Sequence, residues 1–219
     1  MAVPPAAILF DLDGTLVDSE PGILASAQAA LAALGHQPVD LRLDGLIGPP
    51  LEEIMAVVLA RYGDDRVAEA VLAYREHYGA EGYRATQFYA GMVAALDQLA
   101  DRPLYVATSK RTVFARRILD HLGQSRAFVG IYGSEPDGAL DNKAALIADI
   151  LRRHDLPADR CLMVGDRRQD VAGAQANGVA TVGVLWGYGD RGELETAGAR
   201  WIISHPAELV GLAARFPAA

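Results

Sequence analysis

The chain has 219 residues and a formal net charge of −8 at neutral pH, with 51% hydrophobic and 22% charged residues. This length suits one domain, or one domain carrying an insertion, and the composition is that of an ordinary globular protein with a sizeable core. The acidic balance argues against nucleic acid or an anionic membrane as the main partner, and no apolar stretch is long enough to span a bilayer.

The N-terminal sequence and the cysteine content favour a cytoplasmic protein without disulfides. No basic residue precedes the first short apolar run, so we predict no signal peptide. Cys161 is the single cysteine, which excludes an internal disulfide. Because it begins an apolar run at 161–164, we expect it to be buried in a strand rather than catalytic.

Two aspartates follow the first apolar run of the chain, within the stretch DLDGT at residues 11–15. The run at 6–10 predicts a strand buried on both faces, because it is short and wholly apolar. Side chains two apart on a strand share a face, so Asp11 and Asp13 are expected to project together, while Gly14 allows a sharp exit. Two carboxylates this close repel each other unless a cation lies between them or one is protonated.

Either way of relieving that repulsion has a catalytic use. An ionised Asp11 beside Mg²⁺ could attack phosphorus as a nucleophile. A protonated Asp13 could donate its proton to the leaving oxygen and later accept one from water. The alternative interpretation is a polar strand end followed by a turn, so the rest of the chain has to decide between them.

The next segments are helical rather than alternating. Helices are predicted at 21–34, with Ser19 as N-cap, and at 51–62, 65–78 and 91–99. The first three predict a helical cap at 19–88, inserted into a core formed by residues 1–18 and 89–219. The helix at 91–99 would return the chain to that core.

Strands and helices alternate through the second half of the chain. Strands are predicted at 104–107, 128–132, 161–164, 180–185 and 201–203, and helices at 111–122, 143–154 and 170–177. Regular alternation with short connections predicts an α/β fold with a doubly wound parallel sheet. In such sheets ligands bind beyond the carboxyl ends of the strands, where the strand order reverses.

Polar groups stand at several of these strand ends. Thr108 and Ser109 follow a strand and precede a helix, where hydroxyls and backbone N–H groups suit a phosphoryl group. Lys143 begins a helix, a position that is unfavourable for a cation against the helix dipole. Asp166 and Asp170 offer oxygen ligands suited to Mg²⁺. Taken singly, these residues could equally be helix caps or a surface lysine.

The four sites in chain order resemble the haloacid dehalogenase-like superfamily, specifically its magnesium-dependent phosphatase branch. The resemblance covers almost the whole chain, including a helical cap inserted after the first strand. The stretches at 108–110, 132–143 and 165–167 also resemble a subgroup described as phosphoglycolate phosphatase-like or 5′-nucleotidase-like.

This resemblance implies a role for each site residue. Asp11 would be the nucleophile and Asp13 the general acid/base. The ligands of Mg²⁺ would be Asp11, the backbone carbonyl of Asp13, Asp166 and, directly or through water, Asp170. The phosphoryl oxygens would be bound by Thr108, Ser109 and Lys143, and Lys143 would also restrain Asp11. One departure is Ala144, which follows Lys143 where relatives often have proline.

The cap is the expected source of substrate specificity, because a lid excludes water during phosphoryl transfer and closes over the non-reacting part of the substrate. Candidate specificity residues are Arg75 in the cap and Lys110 at the catalytic edge. Further cap candidates are Ser19, Glu20, the turn at 48–50 and His77.

The expected substrate is a small phosphorylated metabolite, such as phosphoglycolate or a nucleoside monophosphate. Two alternatives stay open: a phosphosugar mutase with the same nucleophile, and a non-catalytic phosphometabolite-binding protein. A dehalogenase is less consistent, because Asp13 and Gly14 supply the acid and the turn of the phosphatase pattern. The sequence does not indicate an oligomeric state.

Overall fold

A computed structural model of the chain describes residues 5–37, 41–42, 46–138 and 140–216. The strands are β1 (Ala7–Phe10), β2 (Val17–Asp18), β3 (Gln87–Phe88), β4 (Leu104–Arg111), β5 (Gly130–Ser134), β6 (Cys161–Gly165), β7 (Ala180–Val184) and β8 (Trp201–Ile203). The α-helices are α1 (Glu20–Ala33), α2 (Leu51–Ala60), α3 (Val67–Ala80), α4 (Met92–Gln98), α5 (Thr112–His121), α6 (Lys143–Arg153), α7 (Arg168–Gln175), α8 (Arg191–Ala197) and α9 (Pro206–Ala214).

Six strands form one parallel sheet in the order β5-β4-β1-β6-β7-β8. Its two faces are covered by different helices, because successive side chains of each strand point to opposite faces. Ile8 and Phe10 pack in a core that includes residues of α4, α5 and α9. Ala7 and Leu9 pack with residues of α6 and α7 on the other face. The predicted doubly wound α/β fold is therefore confirmed.

The strand order places a switch point beside β1. From β1 the chain runs to β4 and β5 on one side of the sheet, and then crosses to β6, β7 and β8 on the other. Connections that diverge from two neighbouring strands leave a crevice at their carboxyl ends. Asp11 follows β1 and Asp166 follows β6, so both lie at this crevice.

Three helices stand between two short strands that pair with each other. β2 and β3 form an antiparallel ribbon with Val17 opposite Phe88 and Asp18 opposite Gln87. Between them lie α1, α2 and α3, whose buried residues join the same apolar core as one face of the main sheet. The division into a core of 1–18 and 89–219 and a cap of 19–88 stays a prediction.

Several predicted elements differ from the structure. β4 continues to Arg111, so α5 begins at Thr112 rather than 111. The next strand lies at Gly130–Ser134 instead of 128–132, and the helix predicted at 170–177 already begins at Arg168. Three further features, α8, α9 and the pair β2–β3, were not predicted from the sequence. Ser19 stands at the N-cap position of α1, but its side chain makes no capping hydrogen bond there.

Two further expectations concern burial and membranes. Cys161 begins β6 and is fully buried, as predicted. Among the described residues, no helix combines the length and the hydropathy needed to cross a bilayer.

Candidate active site

Three buried carboxylates meet at the crevice between β1 and β6. One oxygen from each of Asp11, Asp166 and Asp170 lies within 4.8 Å of the others. Asp11 is fixed there because its backbone N–H donates to the carbonyl of Val164 in β6, at 2.9 Å. Asp170 belongs to the first turn of α7, where its Oδ2 accepts from the backbone N–H of Arg167, at 3.1 Å. The carboxyl ends of two strands and one helix start thus build the cluster.

A tight turn after Asp13 brings the backbone against Asp166. Gly14 has φ +79°, and a Cβ atom at this position would lie 2.3 Å from Asp166 Oδ2. Gly187, in the loop after β7, is similarly close, since its Cβ would lie 2.5 Å from Asp166 Cβ. Only glycine permits both the left-handed backbone of this turn and so close an approach. Both glycines help to enclose the Asp166 carboxylate.

Lys143 supplies a cation to two members of the cluster. Its Nζ lies 3.0 Å from Asp11 Oδ1 and 2.8 Å from Asp170 Oδ1, and it donates to the carbonyl of Ala107 at 2.9 Å. Burial lowers the pKa of Lys143, but the Asp11 and Asp170 carboxylates outweigh burial and raise it above its ordinary value. The ammonium group therefore stays charged, and the structure brings Lys143 to the place that the sequence predicted.

The negative charge of the three carboxylates is only partly offset by the described protein groups around them. Burial raises the pKa of Asp166 to about 8, with Asp170 and Asp11 adding to the effect. Burial also raises the pKa of Asp11 to about 6, against the opposing charge of Lys143. Within the described ranges, the cation in contact with these three carboxylates is Lys143. One cation among three carboxylates leaves a site that favours a further positive charge.

The donor set of this cluster fits a hard divalent cation. Asp11 Oδ1 and Asp170 Oδ1 are buried and accept no hydrogen bond of good geometry, although both lie close to Lys143 Nζ. The three side chains offer carboxylate oxygens, which Mg²⁺ prefers over the nitrogen and sulfur ligands that softer metals select. Asp11, Asp166 and Asp170 could therefore hold Mg²⁺ together.

Asp13 lies apart from the cluster and faces the adjoining cavity. Lys110 Nζ forms an ion pair with its Oδ2 at 2.9 Å, and the hydroxyl of Ser19 donates to its Oδ1. Lys110 also lies over the ring of Tyr78 from α3, 4.6 Å from the ring centre. Burial lowers the pKa of Lys110, but Asp13, followed by Tyr78 and Tyr74, raises it well above its ordinary value. The Asp13 carboxylate is thus held by one cation and one hydroxyl.

Thr108 and Ser109 line the same cavity, but they do not stand at a helix N-terminus as predicted. β4 continues through them to Arg111, which pairs with Ser134 of β5 after an irregularity in the register. The Thr108 hydroxyl is buried and accepts from the backbone N–H of Lys110 at 3.1 Å. Both residues therefore line the cavity from within β4, before the strand ends.

A cavity of about 330 Å³ joins these groups to the helical insertion. Asp11, Asp13 and Thr108 contribute to one side, and residues of α2 and α3 to the other. Its apolar lining consists largely of Ile23, Ile47, Ile54, Tyr74, Tyr78 and Phe114. Its volume lies near the lower end of the range of roughly 300–1,000 Å³ that is usual for small-molecule sites.

The structure separates the predicted specificity residues into two groups. Arg75 and Lys110 line the cavity, as does the turn at 48–50, although Arg75 is paired with Glu52 at 2.7 Å. Glu20 and His77 are absent from the described lining. His77 Nδ1 is hydrogen-bonded to the hydroxyl of Ser26 in α1, at 3.0 Å, so the structure does not bring this residue to the cavity.

Sequence reasoning missed the groups that surround Asp166 and Asp13. The Thr15 hydroxyl donates to Asp166 Oδ1 at 3.0 Å, and the backbone N–H of Tyr188 donates to Oδ2 at 2.8 Å. The Tyr188 hydroxyl accepts from the backbone N–H of Ser19 at 3.0 Å. Two glycines flank Tyr188 directly after a strand, and this pattern could have indicated a loop in close contact with a site. Ser19 is among the predicted cap candidates; it is absent from the described cavity lining, and its hydroxyl contacts Asp13 instead.

Together, the strand order and the position of the acidic cluster define a Rossmann-like α/β protein with its site at the switch point. The family model described as haloacid dehalogenase-like hydrolase matches residues 8–184. The chain belongs to this family, and the predicted recognition is confirmed.

Curated proteins with three different names are similar to this chain. A 5′-nucleotidase of Pseudomonas aeruginosa is 47% identical over 85% of this chain and 86% of its own length. The tyrosine-protein kinase PtkA of Mycobacterium tuberculosis is 38% identical over 94% of this chain and 70% of its own length. A phosphoglycolate phosphatase of Rhodospirillum rubrum is 33% identical over 84% of this chain and 81% of its own length.

A solved structure of a haloacid dehalogenase-like hydrolase from Streptococcus pneumoniae has a TM-score of 0.87. It is 34% identical, and the match covers 94% of this chain and 97% of the other. The family and the relatives named as phosphatase or nucleotidase confirm the prediction of a phosphatase-type hydrolase.

Proposed function

We propose that the protein is a Mg²⁺-dependent phosphatase that hydrolyses small phosphomonoesters through an aspartyl phosphate on Asp11. The observation that carries this proposal is the position of Asp11. It belongs to the buried carboxylate cluster, contacts Lys143 at 3.0 Å, and faces the same cavity as Asp13. A carboxylate nucleophile, a second carboxylate for proton transfer and a cation for the phosphoryl oxygens are thus available in one place.

In the first step, an oxygen of Asp11 attacks the phosphorus of the ester. The P–O bond to the leaving group breaks, and a protonated Asp13 gives its proton to the leaving oxygen. Thr108, Ser109 and Lys143 bind the oxygens of the phosphoryl group while it moves. The product alcohol then leaves, and the phosphoryl group remains on Asp11.

In the second step, water attacks the phosphorus and Asp13 takes the proton that the water loses. The bond from phosphorus to Asp11 breaks, so inorganic phosphate and the original carboxylate are restored. Asp11, Asp166, Asp170 and the carbonyl of Asp13 would hold Mg²⁺, which when bound offsets the charge of the carboxylates and phosphoryl oxygens.

Residues 19–88 act in this proposal as a cap over a core formed by 1–18 and 89–219. The cap contributes Tyr74 and Arg75 to the cavity, and the core contributes Lys110 and Phe114. This mixed apolar and charged wall suits a phosphorylated metabolite of the size of phosphoglycolate or a nucleoside monophosphate. Names of relatives support both substrates, as a phosphoglycolate phosphatase and a 5′-nucleotidase are among them.

Release of inorganic phosphate tests the proposal. The purified protein is assayed with phosphoglycolate, nucleoside monophosphates and phosphosugars, with Mg²⁺ and after exhaustive chelation. We expect turnover that requires Mg²⁺ and is lost in Asp11→Asn, because a carboxamide cannot act as the nucleophile. Asp159→Asn makes the same chemical change at an exposed position and serves as the control.

Three results would contradict the proposal. Near-normal phosphate release by a folded Asp11→Asn variant would exclude the aspartyl phosphate. Full activity after chelation would exclude the metal. Isomerisation of a phosphosugar without net phosphate release would instead establish the mutase.

A further inference from the structure

Arg167 connects the core to the helical insertion at the edge of the carboxylate cluster. It directly follows Asp166, stands at the N-cap position of α7, and is only 6% exposed. Its Nε donates to Glu193 of α8 at 3.0 Å, and one terminal nitrogen donates to the carbonyl of Ile47. Its backbone N–H donates to Asp170 Oδ2. One residue therefore contacts α7, α8 and the loop that precedes α2.

Burying a guanidinium group is costly unless its charge and its N–H groups find partners. Glu193 provides the charge, and it is itself fixed because it also accepts from the backbone N–H of Arg168 at 2.8 Å. The planar guanidinium has five N–H donors in a rigid arrangement, so it can bind a carboxylate and a backbone carbonyl at the same time. A lysine at position 167 would provide a single ammonium group without this fixed geometry.

The loop of residues 46–50 is shaped to lie against this side chain. Gly48 has φ +127°, and a Cβ atom there would lie 3.1 Å from a terminal nitrogen of Arg167 and 3.3 Å from its Cγ. Glycine accepts this backbone conformation and leaves room for the guanidinium. Ile47 and the turn at 48–50 line the cavity, and Pro50 leads directly into α2. The contact therefore fixes one wall of the cavity.

We propose that Arg167 is a positioning residue that fastens the 46–50 loop to the start of α7, beside Asp166, and so determines how tightly larger substrates are bound. The predicted effect on substrate binding rests on the proposed phosphatase function, whereas the predicted effect on the 46–50 loop does not. Arg167 does not touch the reacting atoms of the proposed mechanism. It acts through Ile47 and Gly48, whose position decides whether the cavity wall is in place when the leaving group enters.

Hydrogen exchange and kinetics on the full chain test this role. The variants are Arg167→Ala and Arg167→Lys, with Arg168→Ala as the matched control because Arg168 is adjacent and exposed. Without the contact, we expect amides at 46–55 to exchange roughly tenfold faster, the minimum expected for loss of one charge-assisted hydrogen bond. Exchange in β1 and β6 should stay unchanged, which also shows that the variant is folded.

The kinetic arm compares a nucleoside monophosphate with acetyl phosphate, whose leaving group, acetate, is far smaller than a nucleoside. We expect Arg167→Ala to raise KM for the nucleotide roughly tenfold at nearly unchanged kcat, with little effect on acetyl phosphate. Arg167→Lys should behave like the alanine variant, since it retains the charge but loses the planar donors. Glu193→Gln, which weakens the anchor alone, should have a smaller effect in the same direction.

Two outcomes would overturn the proposal. Equal exchange at 46–55 in Arg167→Ala and Arg168→Ala would show that the contact does not hold the loop. An equal loss of activity toward both substrates would show a general structural effect. If the wild-type chain released no phosphate at all, the proposed phosphatase function would fail, while the exchange experiment would still decide the role of Arg167.

Discussion

Replacing Lys143 by methionine should lower the free energy of unfolding, because the carboxylate cluster then lacks its cation. The side chain is only 5% exposed and contacts two carboxylates at 2.8 and 3.0 Å. Removing one partner of a buried ion pair costs about 3–5 kcal/mol, because the remaining charge stays buried without compensation. For a chain of this size, each kcal/mol corresponds to a fall in Tm of about 2–4 °C. We therefore expect the metal-free variant to melt about 10 °C below the wild type.

The assay is thermal and urea-induced unfolding in the presence of a chelator, repeated with a series of Mg²⁺ concentrations. A ligand that binds only the folded state raises the free energy of unfolding by RT ln(1 + [L]/Kd), so at a given concentration the tighter-binding form gains more stability. Because the variant has lost its cation, Mg²⁺ should stabilise it more than it stabilises the wild type. Phosphate release should remain abolished even with Mg²⁺, since Lys143 also binds the phosphoryl oxygens in the proposed mechanism.

The double variant Lys143→Met with Asp170→Asn provides the internal control. Asp170 contacts Lys143 directly, so removing both charges should cost less than the sum of the two single losses. Strict additivity, or a cost below about 1 kcal/mol for Lys143→Met alone, would refute the inference that Lys143 compensates buried charge.

Three further predictions address the turn, proton transfer and the thiol. Asp13→Asn should slow hydrolysis of an ester with a poor leaving group by roughly a hundredfold or more, and an unchanged rate would move the acid role elsewhere. Gly14→Ala should cost more stability in urea than Gly35→Ala, because both have positive φ (+79° and +89°) but a Cβ at Gly35 has nothing within 4 Å. The Gly35 variant measures the backbone strain alone, about 1–2 kcal/mol, and equal costs would mean that Asp166 moves aside freely. Burial raises the pKa of Cys161 to about 11, so a thiol reagent near neutral pH should label it only after unfolding, and rapid labelling of the native protein would contradict the buried position.

The sheet and the acidic part of the site could be predicted from the sequence because both depend on local patterns. Buried parallel strands are short apolar runs, and their carboxyl ends must share one edge of the sheet. That rule is enough to bring Asp11 and Asp166 together from positions far apart in the chain, while Lys143 joins them from the first turn of α6.

Other features depend on tertiary contacts that no local pattern reveals. Lys110 and Asp13 are 97 positions apart, and their pairing requires β4 to continue past Thr108 along β5. In α8 only Leu194 is buried, so this helix has no apolar periodicity to detect. His77 faces Ser26 because α1 and α3 pack against each other, an arrangement that follows from the shared core and not from the helix itself.

The ribbon formed by β2 and β3 allows the helical insertion to change in length and sequence during evolution. The two ends of the helical insertion pair with each other through two residues on each strand of this ribbon, so these ends are neighbours whatever lies between them. The entropy of closing a loop grows only slowly with its length, by about 0.6 kcal/mol for each doubling. Once the ribbon has formed, lengthening, shortening or replacing the intervening segment leaves the sheet register unaffected. If the insertion is the cap of the proposed function, substrate preference can diverge in that segment while the carboxylate cluster of the core stays unchanged.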